Sequence, residues 1–234
     1  MKTLVPLKDI SVVGFWEVAK KYTFFLRLMN QCKEILSSGG IDAFIPVDYP
    51  GFNIPLAGYA KKDSVPVIYY IAPQLWAWGR NRAQKLSGSV DLLMTVFPFE
   101  KEYFSDFGLN TTFTGHPLLD DPVFEDIPPF EKRAKRIAFL PGSRQQETEK
   151  HLPLLEKVSD LIKHDLPGYE IGIAVSSFVD ENIYKEYADR NGWTLWDDSR
   201  LLMKTSAAGV VKTGTSTLEA ALCGMPFVMI YRTS

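Results

Sequence analysis

The sequence predicts an α/β protein of two parallel-sheet units, and three observations carry that reading. From Ile41 onward, short apolar runs alternate with amphipathic stretches, the signature of βαβ units. The 234 residues, 46% hydrophobic and 23% charged, suit an ordinary globular chain with a core of one large domain or two small ones. Between residues 117 and 132, Pro117, Pro122, Pro128 and Pro129 lie among acidic side chains and neither sheet nor helix periodicity persists, which reads as a break between units.

Residues 14–37 form the longest helical candidate. Phe15, Val18, Tyr22, Phe25, Met29, Cys32 and Leu36 recur on one face at steps of three and four, a stripe most simply read as core. Trp16, Phe24 and Leu28 fall off that stripe, and Lys20, Lys21, Arg27 and Lys33 add cations. Two readings stand for them: a wider buried face, or a helix lying against an anionic bilayer surface. Apolar runs then give strands at 43–48, 66–71 and 92–96, alternating with helices at 52–62, 80–87 and 100–107. Past the break come a strand at 136–140 and a helix presenting Leu154, Leu155, Val158, Leu161 and Ile162 on one face, with Pro153 at its start or at a kink. Strands follow at 170–175, 193–196, 207–211 and 227–231, with helices at 181–191 and 217–223. The expected division is residues 1–120, a linker over 121–132, and residues 133–234.

Composition excludes several classes of partner. Lys plus Arg is 26 and Asp plus Glu is 28, a formal charge of -2, so there is no basic field for nucleic acid. Cys32 and Cys223 lie far apart, and His116, His151 and His164 share no ligand spacing with them, so no metal site is expected. Two isolated cysteines suit a reducing compartment, the cytoplasm. The first nine residues carry Lys2 but break their apolar run at Pro6 and Lys8, unlike a signal peptide, and no window approaches the ~20 apolar residues of a spanning helix.

Ligands of open α/β sheets bind outside the carboxyl ends of strands, which singles out three segments. Asp48 ends the first strand of the series. Its carboxylate is placed to accept a proton from a substrate hydroxyl, or alternatively to bond amides of the Pro50-Gly51 turn or cap the next helix. Gly142, Ser143 and Arg144 follow the strand at 136–140, where glycine permits close backbone approach and Arg144 offers a fork for a diphosphate; a plain turn is the alternative. Gly214, Thr215, Ser216, Thr217 and Glu219 open a helix, whose N-terminus suits phosphate while Glu219 is within reach of ribose hydroxyls. Ser216 and Glu219 also have capping-box spacing. Neither GxGxxG nor GxxxxGK[ST] occurs. The segment 69–80, with Trp76 and Trp78, either lines a sugar or acyl site or packs between domains.

These segments, taken in order, resemble the lipid-A-disaccharide synthases, inverting glycosyltransferases of the GT-B class. The matching stretches are 13–18, VDYPGFN (47–53), YYIAPQLWAWGRNR (69–82), FPFEKEYF (97–104), TGHPLLD (114–120), LPGSRQQE (140–147) and GTSTLEAAL (214–222). The resemblance implies two Rossmann-like doubly wound domains, the first on the acceptor side and the second binding the UDP-sugar. It implies transfer of 2,3-diacylglucosamine from its UDP donor to 2,3-diacylglucosamine 1-phosphate, with no cofactor and no metal. Asp48 matches the general base, Gly142, Ser143 and Arg144 the diphosphate contact, and residues 214–219 the nucleotide-side loop. It further implies a peripheral position on the cytoplasmic side of the inner membrane and a homodimer, with Phe15, Trp16, Phe24, Phe25, Trp76 and Trp78 as acceptor or membrane contacts. Family members are longer: a first strand with its Gly-rich loop would precede Met1, and further helices would follow Ser234. Two other readings remain open, another UDP-sugar glycosyltransferase or epimerase of this fold, and a nucleotide-sugar-binding module without catalysis.

Overall fold

The computed structural model describes residues 3–6, 22–77 and 80–232. The chain divides into two compact units, Met1–Pro117 and Leu118–Ser234. In the first, α1 (Tyr22–Ser37) and α2 (Pro50–Lys62) precede β1 (Ile68–Tyr70), followed by α3 (Arg80–Ser87), β2 (Leu92–Thr95), α4 (Pro98–Ser105) and β3 (Thr111–Phe113). The three strands pair in parallel in the order β1-β2-β3, with Ile68 opposite Leu92 and Leu93 opposite Thr111.

The strand expected at 43–48 reduces to two parallel bridges, Phe44 with Val67 and Val47 with Tyr70. The interruption has a simple cause. Phe44 donates to Pro66 and accepts from Ile68, Tyr70 donates to the Pro46 carbonyl, and Asp48 donates to Tyr70. Pro46 has no N–H for the bond that would complete this ladder at its centre. The segment still lies along β1 and delivers Asp48 to the carboxyl edge of the sheet.

The buried strand residues Tyr69 and Leu93 meet Leu56, Ala57 and Ala60 of α2, Ala83 and Leu86 of α3, and Phe104 of α4 in one cluster. Helix α1 contributes Leu36, with Met29 and Cys32 partly buried against the same core. The expected stripe is rotated at its start: Tyr22 is exposed, whereas Leu28, read as off the stripe, is buried. Phe15, Trp16, Trp78 and the beginning of the helix expected at 14–37 lie outside the described residues.

The second unit contains β4 (Ala134–Leu140), α5 (Gln145–Asp165), β5 (Glu170–Ala174), α6 (Glu181–Asn191), β6 (Thr194–Trp196), α7 (Ser199–Thr205), β7 (Ser206–Lys212), α8 (Thr215–Leu222) and β8 (Phe227–Ile230). All neighbours are parallel, in the order β6-β5-β4-β7-β8. Both faces of the inner strands are covered, as parallel sheets require, while Val228 and Met229 of the edge strand β8 are exposed. Ile137 and Phe139 of β4 point to a core shared with Leu152, Leu155 and Tyr184, while Ala138 and Leu140 point to one shared with Leu202, Val211 and Ala220. Each fully buried large side chain contributes about 1.5–3 kcal/mol.

Helix α5 runs from Gln145 to Asp165 with Pro153 inside it, so Pro153 does not mark its start. Pro153 is exposed, and it supplies no N–H to the Glu149 carbonyl one turn before it. Residues 121–132, expected as a linker, belong to the second unit and form short 3-10 turns against it. Asp121 pairs with Arg200 at 2.6 Å, Lys204 donates to the Glu125 carbonyl at 2.7 Å, and Arg133 donates to the Cys223 carbonyl at 2.8 Å.

Candidate active site

In the second unit the strand order reverses direction between β4 and β7, and ligands of such sheets sit in the crevice outside the strand ends at that point. Leu140 pairs with Val211 at the ends of these strands, so the loops that follow, 141–144 and 213–214, run side by side. The two glycine-bearing segments singled out in the sequence are thus brought together. Gly142 has φ +118°, a backbone that favours glycine, and a Cβ there would stand 2.8 Å from Glu147 Oε2 and 3.3 Å from Glu147 Cβ.

Both helices leaving these loops begin without a side-chain cap: Arg144 stands at the N-cap of α5 and Gly214 at that of α8. Their positive dipole ends therefore face the crevice unneutralised by a capping side chain. Thr217 donates through Oγ1 to the Gly214 carbonyl at 2.7 Å and fixes the turn, while Thr215 is exposed at its start. The loop after β4 is held from beneath. His151, buried, donates through Nδ1 to the Pro141 carbonyl at 2.8 Å, and Ser176 Oγ donates to the Ser143 carbonyl at 3.3 Å.

Charges converge on Glu147, in the first turn of α5. Its Oε1 accepts from Arg144 Nη1 at 2.8 Å and from Lys212 Nζ at 2.9 Å. Burial pushes this carboxyl up, but the hydrogen bonds and charges of Lys212 and Arg144 outweigh it and hold the group below the usual carboxylate range. Glu219 faces elsewhere: its Oε1 accepts from Arg200 Nε at 3.0 Å, and that guanidinium also binds Asp121. The capping-box alternative for Glu219 is corrected, because α8 begins at Thr215 and Ser216 is its second residue rather than its cap.

In the first unit, Asp48 is exposed at the end of its extended segment. Its φ is +45°, that of Tyr49 +48°, and that of Ile71, at the end of the neighbouring β1, +63°. Three non-glycine residues in the left-handed region at one sheet edge are unusual, and for a β-branched isoleucine the conformation is an outlier. Hydrogen bonds pin the turn. The Asp48 carbonyl accepts from Asn53 Nδ2 and from Tyr69 Oη, each at 2.7 Å, and Asn53 also reaches the Val47 carbonyl at 3.2 Å. Burial, and secondly the Asp48 charge, push the Tyr69 phenol up, so it stays a donor. The helix-cap alternative for Asp48 is not realised: Tyr49 occupies the N-cap of α2 and no side chain caps it.

Aromatic rings flank the Asp48 turn. Phe25 of α1 lies 6.2 Å from Tyr49 and 6.3 Å from Phe52, and Phe24 meets Phe25 edge-on at 5.5 Å. On the loop after β1, Trp76 is 42% exposed and packs edge-on against Phe99 at 5.2 Å. Its indole N–H donates to buried Glu100, whose other oxygen accepts from the amides of Val96 and Phe97. Sequence reading missed Lys212, Glu147, Asn53, Tyr69 and Glu100. Glu147 was findable as the acid three residues after Arg144, one helical turn on; Lys212 had no signal beyond ending a strand. Among the described residues, no cluster of three or more His, Cys, Asp or Glu is placed to hold a metal ion.

Asp48 on a turn pinned through its backbone carbonyl, and glycine loops meeting at a switch point, both sit at the ends of parallel sheets, and the two parallel α/β units are of the GT-B type. Solved structures agree on the fold. The chain is similar to the S. aureus MnaA–UDP co-structure (TM-score 0.60, 13% identity, 88% of this chain and 61% of that one). It is also similar to UDP-GlcNAc 2-epimerase from Neisseria meningitidis bound to UDP-GlcNAc (TM-score 0.58, 15% identity, 93% and 66%). A family model described as lipid-A-disaccharide synthetase matches residues 1–234, and the chain belongs to that family. Relatives include the lipid-A-disaccharide synthases of Syntrophus aciditrophicus (strain SB), 36% identical over 237 residues, and Persephonella marina (strain DSM 14350 / EX-H1), 34% identical over 251. The alignments cover 97% and 100% of this chain, which spans 62% and 66% of those relatives' length.

Proposed function

We propose that this chain carries the machinery for transferring 2,3-diacylglucosamine from its UDP donor to 2,3-diacylglucosamine 1-phosphate, forming the lipid A disaccharide and UDP. The observation that carries this reading is the family match along residues 1–234. Asp48, exposed on a pinned turn, takes the proton of the acceptor 6-hydroxyl as its oxygen attacks the anomeric carbon. The bond from that carbon to the donor phosphate breaks, its electron pair leaves with UDP, and the anomeric configuration inverts. Arg144, the loop of Gly142 and Ser143, and the start of α8 from Gly214 to Thr217 receive the diphosphate charge, which preorganised dipoles and a guanidinium stabilise. Glu219 approaches the ribose after exchanging its Arg200 partner.

Both substrates are acylated, so the reaction belongs at the cytoplasmic face of the inner membrane. Exposed Tyr22 and Leu26, with Phe24 and Phe25 half-buried beside them, support α1 as the contact. No helix among the described residues is long and apolar enough to cross a membrane, which fits a peripheral position. The same reading includes a homodimer, tested by sedimentation velocity. The deciding experiment combines calorimetric titration with UDP and mass-spectrometric detection of disaccharide from the acylated substrates in micelles. Saturable UDP binding, with product that depends on the acyl chains, is expected; a folded sample that neither binds UDP nor forms product overturns the proposal.

A further inference from the structure

Lys212 is the last residue of β7, at the floor of the switch-point crevice. A lysine at a strand end ordinarily extends its ammonium into water. This one is drawn inward: its side chain is 16% exposed, with Nζ 2.9 Å from Glu147 Oε1. Its Cδ lies 3.7 Å from the position a Cβ would take at Gly142, and its Nζ lies 3.9 Å from the corresponding position at Gly214. The side chain therefore spans both loops, touching the two places where the backbone is barest. Ordering a long flexible side chain is entropically unfavourable, and one partly exposed ion pair offsets little of that.

The charges at this point do not balance. Arg144 and Lys212 share the single carboxylate of Glu147, leaving one net positive charge beside two helix N-termini that lack side-chain caps. A diphosphate supplies the missing negative charge on two separate phosphoryl groups. Arg144 presents a planar fork from the β4 side; Lys212 presents a compact point charge from the β7 side.

We propose that Lys212 is a second cationic binding residue for the diphosphate of a nucleoside-diphosphate sugar, and that Glu147 is the positioning residue that holds Lys212 and Arg144 at the crevice. The proposal rests on the donor-site reading above. It adds a contact from the strand on the far side of the switch point, so the diphosphate is held from both strands at once.

Calorimetric titration of the full chain with UDP tests it, using Lys212→Met, Lys212→Arg, Arg144→Ala and the double variant Lys212→Met with Glu147→Gln. Lys212→Met is expected to weaken UDP binding about 10-fold or more, as loss of a hydrogen bond to a charged group does. Lys212→Arg is expected to keep most of the affinity, and the double variant to bind no more tightly than Lys212→Met, because Arg144 also loses its Glu147 partner. Return of the double variant to wild-type affinity overturns the proposal, because Lys212 would then act only by neutralising Glu147. Equal loss in Lys212→Met and Lys212→Arg overturns it as well. Wild-type affinity in Lys212→Met alongside weakened binding in Arg144→Ala overturns the role of Lys212 and leaves the donor site standing. Absence of saturable UDP binding in a wild-type sample with a cooperative thermal transition overturns both. Should Lys212→Met fail to fold, Lys212→Gln carries the same expectation.

Discussion

At the carboxyl edge of the first unit's sheet the chain turns on Asp48, Tyr49 and Ile71, all non-glycine residues at positive φ; at the edge of the second it turns on Gly142 and Gly214. The left-handed conformation costs a non-glycine residue roughly 1–2 kcal/mol. The first turn holds that conformation with side-chain hydrogen bonds from Asn53 and Tyr69 to the Asp48 carbonyl. The second needs no such restraint, because glycine accepts these angles freely, and its bonds from His151 and Ser176 steady the loop instead. The difference follows from what each edge presents. On the proposed function, one aims a side chain and needs a Cβ to carry it, whereas the other offers bare backbone and two cations to the donor diphosphate.

The strongest way to break this comparison is Asp48→Asn, which keeps shape and removes the proposed base. Turnover should fall about 10²–10⁴-fold while UDP affinity stays within error, read by disaccharide formation and calorimetry. Equal loss of UDP binding would mean that Asp48 does not have the separate role assigned to it. Next in size is Arg144→Ala, for which UDP affinity should fall about 10–100-fold, the worth of a hydrogen bond to a charged group. Gly142→Ala sharpens the contrast in stability. Its φ of +118° and the 2.8 Å approach of Glu147 should destabilise the folded chain by about 1–3 kcal/mol, read by urea denaturation. The smallest effect should carry the opposite sign. Asp48→Gly relieves the left-handed backbone and should stabilise the fold by less than about 1 kcal/mol, since glycine also loosens the unfolded chain, even as turnover is lost.

The regular parts of the molecule were legible because both faces of a parallel sheet are buried and its strands read as continuous apolar runs. Helices 80–87 and 181–191 appear at the bounds the pattern gave. What was missed was short and polar. Thr111–Phe113 is a three-residue strand with two half-exposed threonines, and Ser199–Thr205 is a seven-residue helix signalled mainly by Asp198, which accepts from the amides of Arg200 and Leu201. At the site, Asp48, Gly142 and Arg144 stood out because strand ends and glycine turns are readable along one dimension. Lys212 and Glu147 meet only through the pairing of β4 with β7, a relation between residues 65 apart that local pattern does not contain.

Glu100 gives the first unit a property that neither of its loops has alone. One buried carboxylate grips the Trp76 indole with one oxygen and the Val96 and Phe97 amides with the other. The loops after β1 and β2 are thereby tied together through one side chain. Shortening Glu100 to Asp should therefore release the Trp76 loop from the start of α4 while leaving each loop able to form, read in the part of the emission spectrum that a Trp76→Phe variant loses.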